Sequence, residues 1–239
     1  MFSREISLIG KDKLRKLNRT HLVIVGVGGV GGFTAELLCR AGFANITLID
    51  GDRVEKSNIN RQIVASFDTI GHYKVDVLKD RLRSINPHVK VTAINKFINK
   101  DNIKLIKKNS YVIDCIDDIE NKVVLIEYCK KNDINIISAL GAGNRISIPE
   151  FEVLDIFDTY NDRLAKVLRK KLKDVNIDSL TCVMSKDKPI KKEGEVGSIS
   201  YYPNAMSCVL ASYVVNDIIK ENNGRISKGN IHKKQQSKG

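Results

Sequence analysis

Apolar and polar positions alternate in two rhythms along the first 140 or so residues. The runs HLVIV (21–25), NITLID (45–50), VKVTAI (89–94), YVIDCID (111–117) and INIISAL (134–140) are almost wholly apolar and rich in Val and Ile, the pattern of buried strands. Between them the apolar residues fall three or four apart. Gly29 to Ala41 carries Val30, Phe33, Leu37 and Leu38, and Lys74 to Ile85 carries Val75, Leu78, Leu82 and Ile85 before Asn86-Pro87 stops it; Lys122 to Lys131 is the third such segment. These spacings predict helices. This repeating strand–helix pattern predicts an α/β chain with a mostly parallel sheet and helices on both faces.

The rhythm changes after Gly141-Ala142-Gly143. FEVLDIF (151–157) is a short apolar segment, Leu164 to Leu172 reads as a basic helix and LTCVMS (180–185) as a strand. A lysine-rich, glycine-flanked loop (186–197) follows, and Tyr202-Pro203 leads into a helix from Asn204 to Lys220. This half is too short for an independent domain. The organisation expected is a nucleotide-binding region over 1–145, a smaller lobe over 146–221 completing the same domain, and a disordered basic tail over 222–239.

Composition narrows the setting. No stretch approaches the roughly 20 apolar residues of a membrane span, and the N-terminal MFSREISLIGKDKLRKL lacks the apolar block of a signal peptide; a cytoplasmic protein is expected. The five cysteines are scattered, with no CxxC pair, so neither a zinc clamp nor a disulfide framework is indicated. Cys182, inside LTCVMS, reads as a small buried hydrophobe. The net charge of +12 suits a polyanionic partner, nucleic acid first, and equally suits a merely lysine-rich composition.

The chemistry starts at VGVGGVG (25–31). Gly26-x-Gly28-x-x-Gly31 between a strand and a helix is a Rossmann-like phosphate loop: the glycines let backbone approach an anion, and the helix N-terminus stabilises its charge. Asp50, at the end of the next strand, is placed for ribose hydroxyls. So far a nicotinamide or flavin enzyme fits equally well. The next segment separates the readings. Asp52, then Ser57-Asn58-Ile59-Asn60-Arg61-Gln62, then Gly71-His72-Tyr73-Lys74 set Asn, Arg and Lys near the phosphates. Attack on the α-phosphate of ATP builds charge that fixed cations stabilise. Arg61 can fork two phosphate oxygens and Lys74 can act as a point charge. Asp117, read as the end of another parallel strand, can hold Mg²⁺.

In order, VGVGGVG, LIDGD, NINRQ, GHYK and DCIDD resemble the nucleotide-binding half of the ubiquitin-activating-enzyme-like (ThiF/MoeB-like) adenylyltransferases, which adenylate a carboxylate with ATP and Mg²⁺. The resemblance implies Gly28 and Gly29 in the phosphate loop, Asp50 at the ribose, Asn60, Arg61, Gln62 and Lys74 at the phosphates, and Asp117 at the metal. Arg4, in FSREI, resembles the N-terminal arginine that members insert into the partner subunit's ATP site, which implies a homodimer. The sulfur-carrier branches usually carry paired CxxC motifs, absent here. SALGAGNRI, FEVLDIFDT, LAKVLRKKLK, VMSKDKPIK and GSISYYPNAMSCVLASYVVNDI instead resemble the bacterial tRNA threonylcarbamoyladenosine dehydratases. That branch implies ATP-dependent ring closure of the modified adenosine in tRNA. It gives the basic run Arg163, Lys166, Arg169, Lys170, Lys171 and Lys173, and Lys186, Lys188, Lys191 and Lys192, a role in holding tRNA phosphates. The alternative is adenylation of a ubiquitin-like sulfur-carrier protein. Whether a sulfur-transfer (desulfurase) partner binds is left open.

Overall fold

The structure, a computed structural model, describes residues 1–190 and 193–220. The tail expected at 222–239, and Lys191 and Lys192 of the basic loop, lie outside the described residues. Two helices open the chain, α1 (Ser3–Ile9) and α2 (Lys11–Arg19). Then come β1 (His21–Val25), α3 (Gly31–Arg40), β2 (Asn45–Ile49), α4 (Lys74–Ile85), β3 (Lys90–Ile94), β4 (Ser110–Asp114), α5 (Ile119–Lys131) and β5 (Asn135–Ala139). The second half supplies β6 (Phe151–Asp155), α6 (Arg163–Asp174), β7 (Thr181–Ser185) and α7 (Tyr201–Ile219).

All seven strands join one sheet in the order β3-β2-β1-β4-β5-β7-β6. Every pairing is parallel except β6 with β7. The α/β fold read from the sequence is therefore the fold found. Its interior strands are apolar on both faces because both are covered. Leu22 and Ile24 pack with Leu38, Leu78 and Leu210 of α3, α4 and α7, while Val23 and Val25 pack with Leu125 and Cys129 of α5. A third cluster joins Val123 and Ile126 to Leu168 and Leu172 of α6.

Three features differ from the expected pattern. Helix α3 turns Ala35, Leu38 and Cys39 fully inward and leaves Phe33 and Leu37 only partly buried, so its apolar face is rotated from the one expected. Small residues at 31, 32, 34 and 35 let it lie close against the sheet. Helices α1 and α2 had no signal: α1 buries no residue and α2 buries only Leu17. Strand β4 stops at Asp114, so Asp117 lies three residues beyond it, in the loop before α5.

The topology places the site. β1 sits between β2 and β4, so the chain runs outward in one direction from β1 and then in the other. The loops after β1 and β4 diverge at this switch point, and their crevice is where ligands of such sheets bind. Among the described residues, no helix is long and apolar enough to cross a membrane.

Candidate active site

The glycine loop is built by steric demand. Gly26 has φ 83°, and a Cβ there would lie 2.6 Å from the Cys115 carbonyl oxygen. A Cβ on Gly31 would lie 1.9 Å from the Gly26 carbonyl oxygen. Only glycine permits both positions, which let β1 turn into α3. Gly28 and Gly29 differ. Their nearest neighbours would be Gln62 Nε2 at 3.8 Å and Pro203 Cβ at 3.4 Å, so bare backbone faces the crevice there.

Asp50 is the clamp of this loop. Its Oδ2 accepts the Val27 N–H at 2.7 Å and its Oδ1 accepts the Asp52 N–H at 2.8 Å. Burial raises its pKa above the usual carboxylate range, against those two hydrogen bonds and the nearby Lys74 charge. Each oxygen keeps a second lone pair for a ribose hydroxyl. Lys74 opens α4 with its side chain 7% exposed and its Nζ 2.7 Å from Asp52 Oδ2. A largely buried ammonium thus stands beside Asp50, held by a carboxylate that is itself half exposed. Phe97, absent from the expected set, lays its ring 2.7 Å from where a Gly51 Cβ would be and remains 58% exposed, a flat apolar wall beside Asp50.

The NINRQ segment divides by task. Asn58 is buried and serves its own turn: Oδ1 accepts the Glu55 N–H at 3.1 Å and its carbonyl accepts from Arg61 and Gln62. Arg61 Nη1 donates to the Ser57 carbonyl at 2.8 Å and to Asn60 Oδ1 at 2.9 Å, and these two bonds leave its Nε and Nη2 uncommitted. Asn60 Nδ2 donates to the Ser198 carbonyl at 3.0 Å. Gln62 Oε1 and Asn204 Oδ1 are the two buried side-chain oxygens without a partner among the described residues. Both flank the loop, Gln62 beside Gly28 and Asn204 next to the Pro203 that packs on Gly29. A buried polar atom left unpaired is costly unless a ligand or water completes it.

Across the switch point, Asp117 is exposed. Its loop is anchored from below. Asp114 and Lys122 are both fully buried, with Nζ 2.9 Å from Oδ2. Lys122 Nζ also donates to the Ile116 carbonyl at 2.9 Å, Ser138 Oγ donates to Asp114 Oδ2 at 2.7 Å, and the Ile116 N–H donates to Asp114 Oδ1 at 3.1 Å. The pair was missed in the sequence; a lone lysine at an inward position of an apolar helix was its only mark. Among the described residues no cluster of three His, Cys, Asp or Glu side chains could hold a metal by itself. One carboxylate at Asp117 fits Mg²⁺ that arrives with a triphosphate and draws its remaining ligands from phosphate oxygens and water.

Arg4 is not brought to this site. It is exposed on α1, and Phe2 beside it approaches Gly42, at the far end of α3 from the glycine loop. The basic helix is also more divided than its sequence. Arg169 turns in to the Thr159 hydroxyl and carbonyl, and Lys171 pairs with Glu120 at 2.6 Å. Arg163, Lys166 and Lys170 are exposed. Lys186 is paired with Glu150 at 3.0 Å rather than free for phosphate. Cys182 is fully buried and its thiol is pushed up to about 12 by burial, in keeping with a core role; Cys208 is the exposed cysteine.

Residues 2–236 match the ThiF family. A relative in Bacillus subtilis, "tRNA threonylcarbamoyladenosine dehydratase", is 35% identical over 92% of this chain and 95% of its own length. The crystal structure of Escherichia coli tRNA N6-threonylcarbamoyladenosine dehydratase in complex with ATP is similar with a TM-score of 0.84 at 33% identity, over 91% of this chain and 93% of that one. A molybdopterin-synthase adenylyltransferase of Haemophilus influenzae is 30% identical over 72% of this chain and 71% of its own length.

Proposed function

The chain belongs to the ThiF family, and from that premise we infer that it catalyses the ATP-dependent dehydration of N6-threonylcarbamoyladenosine in tRNA. The observation that carries the chemistry is the crevice itself: bare backbone at Gly28 and Gly29, bordered by Arg61 and the buried ammonium of Lys74. The observation that favours this branch is that a dehydratase relative is 35% identical over nearly the whole length of both chains, against 30% for the molybdopterin-synthase adenylyltransferase.

ATP lies with its phosphates on the glycine loop, its ribose at Asp50 and its adenine toward Phe97. Gly28 and Gly29 N–H groups, Gln62, Arg61 and Lys74 take the phosphate charge, with Asn60 and Asn58 setting the Arg61 turn and Asp52 setting Lys74. Asp117 would hold Mg²⁺, which supplies charge neutralisation on the phosphates. A threonyl carboxylate oxygen attacks the α-phosphorus; the bond to the β-phosphate oxygen breaks and pyrophosphate leaves. The carbamoyl group of the same modification then attacks the activated carbonyl carbon, gives up a proton to solvent and expels AMP, which carries away one former carboxylate oxygen. The nucleoside has lost one water. Because attacker and carbonyl belong to one side chain, proximity drives closure and no enzyme nucleophile is needed; buried Cys182 agrees with that.

The substrate is a cytoplasmic tRNA, and the exposed cations of α6, Arg163, Lys166, Lys170 and Lys173, are the charges offered to its backbone. The test incubates the protein with ATP, Mg²⁺ and modified tRNA, followed by gentle nucleoside mass spectrometry. Loss of one water, with one AMP per event and a rate that falls as salt rises, is expected. An unchanged nucleoside beside an active control enzyme would reject the function; pyrophosphate exchange that requires a carrier protein and ignores tRNA would select the alternative.

A homodimer completes the reading. Helix α1 buries no residue in its own chain and leaves Leu8 85% exposed, which favours its seat being a second copy, with Arg4 delivered to the partner's crevice. Sedimentation should give twice the mass of one chain; a monomer at working concentration would remove Arg4 from the mechanism. A sulfur-transfer partner acting on this chain's thiols would have Cys208 as its accessible target.

A further inference from the structure

The loop that follows β5 is organised by a buried arginine. Arg145 is 5% exposed. Its Nη1 donates to the carbonyls of Gly141 and Gly143, each at 3.0 Å, and its Nε donates to the Asp187 carbonyl at 3.0 Å. Its Nη2 lies 3.7 Å from Asp162 Oδ2. Asp162, also buried, caps α6 through the Ala165 N–H at 2.8 Å and accepts the Gly141 N–H at 3.2 Å. Asn144, at φ 56°, ties the end of the loop to Gly197 by two hydrogen bonds of 2.8 and 2.6 Å.

The carbonyls of Gly141, Gly143 and Asn144 are therefore taken, the last by the Ile190 N–H at 2.7 Å. Two of the loop's donors are not: among the described residues nothing accepts the N–H of Ala142 or of Gly143, and both residues are only partly buried. Ala142 carries only a methyl, so an oxygen can approach its backbone; at Gly143 the Val196 side chain covers the side that a Cβ would occupy. Position gives this weight. β5 pairs with β4, Asp114 opposite Ser138, so the loop stands beside Ile116 and Asp117, about 5 Å per strand away from the switch point.

We propose that the N–H groups of Ala142 and Gly143 receive the reacting carboxylate of the tRNA-borne threonyl group, and that Arg145, which holds the Gly141 carbonyl of the peptide that carries the Ala142 N–H, is the positioning residue that turns this donor outward. The inference rests on the dehydratase reading. One carboxylate oxygen attacks the α-phosphorus. The other is held by the two N–H groups, and becomes the oxyanion when the carbamoyl group adds to the carbonyl carbon. Donors fixed where that negative charge develops stabilise the transition state more than the bound substrate.

Ala142→Pro deletes one donor. The expected result is a single-turnover dehydration rate lowered on the order of 100-fold, with ATP and tRNA dissociation constants held within about twofold and the melting temperature near that of the parent. A rate close to the parent's, or a loss that lies wholly in tRNA affinity, overturns the proposal. If Ala142→Pro does not fold, Arg145→Lys takes its place: it keeps the charge against Asp162 but cannot span both glycine carbonyls, and the same split between rate and binding is expected, equal rates overturning it. The parent enzyme runs alongside. If the parent leaves the nucleoside unchanged, the dehydratase reading fails and this one with it; if the parent works and both variants match it, the loop assignment alone fails.

Discussion

Lys74→Met is expected to slow AMP formation by about 1,000-fold while leaving the fold intact. Methionine keeps the unbranched stem that packs at the start of α4 and removes only the ammonium. The Asp52 carboxylate left behind is 52% exposed and is rehydrated at little cost. The lost cation acts where charge moves: the α-phosphorus gains an oxygen while pyrophosphate departs, so Lys74 is worth more in the transition state than in the ATP complex. The defect therefore belongs in kcat, with a smaller change in KM for ATP. Arg61→Ala is expected to match it in direction. Turnover retained in both variants would show that the phosphates lie elsewhere, and a collapse of the melting temperature would mean that Lys74 holds structure rather than charge.

The second large effect is on stability. Lys122→Met should destabilise the protein by about 3–5 kcal/mol, because it leaves the fully buried Asp114 carboxylate without its counter-charge. At about 2–4 °C per kcal/mol for a chain of this size, the melting temperature should fall by roughly 6–20 °C. Removing both charges with Lys122→Met and Asp114→Leu should recover much of the loss, since a buried ion pair replaced by apolar groups of similar volume is often neutral. Recovery will be incomplete where Ser138 Oγ and the Ile116 N–H lose their acceptor. Thermal denaturation of the parent, the single variant and the double variant decides it; a single variant within a few degrees of the parent would mean that water reaches the pair.

The sheet was legible because interior strands buried on both faces must be apolar, and such runs recur with helical spacing between most of them; β3, at the edge, leaves Lys90 and Thr92 exposed. The phosphate loop was legible for the same steric reasons that fix Gly26 and Gly31. What stayed hidden was whatever depends on partners distant in sequence. The direction of β6 follows from its pairing with β7, which no run of FEVLDIF encodes. The end of β4 at Asp114 rather than Asp117 follows from that carboxylate binding Lys122 and Ser138, one on the next helix and one on the next strand. The basic helix was read too simply because Glu120 and Thr159, which neutralise or bind two of its cations, lie 51 residues before Lys171 and 10 before Arg169. Asn58 was grouped with its neighbours by motif, while its burial turns it inward to Glu55. Phe97 carries no motif, and Arg145 stood in SALGAGNRI without an assigned role; only the fold sets them beside Gly51 and around Gly141.

The short segment through Gly197 and Ser198 touches both halves of the crevice, Asn144 on one side and Asn60 on the other. It belongs to neither the sheet nor its helices. Such a seam can lengthen, shorten or change composition without shifting the register of a single strand. Selectivity for the carboxylate brought in, and the phosphate chemistry beneath it, can thus drift apart over generations, one scaffold serving as the common ancestor of many clients.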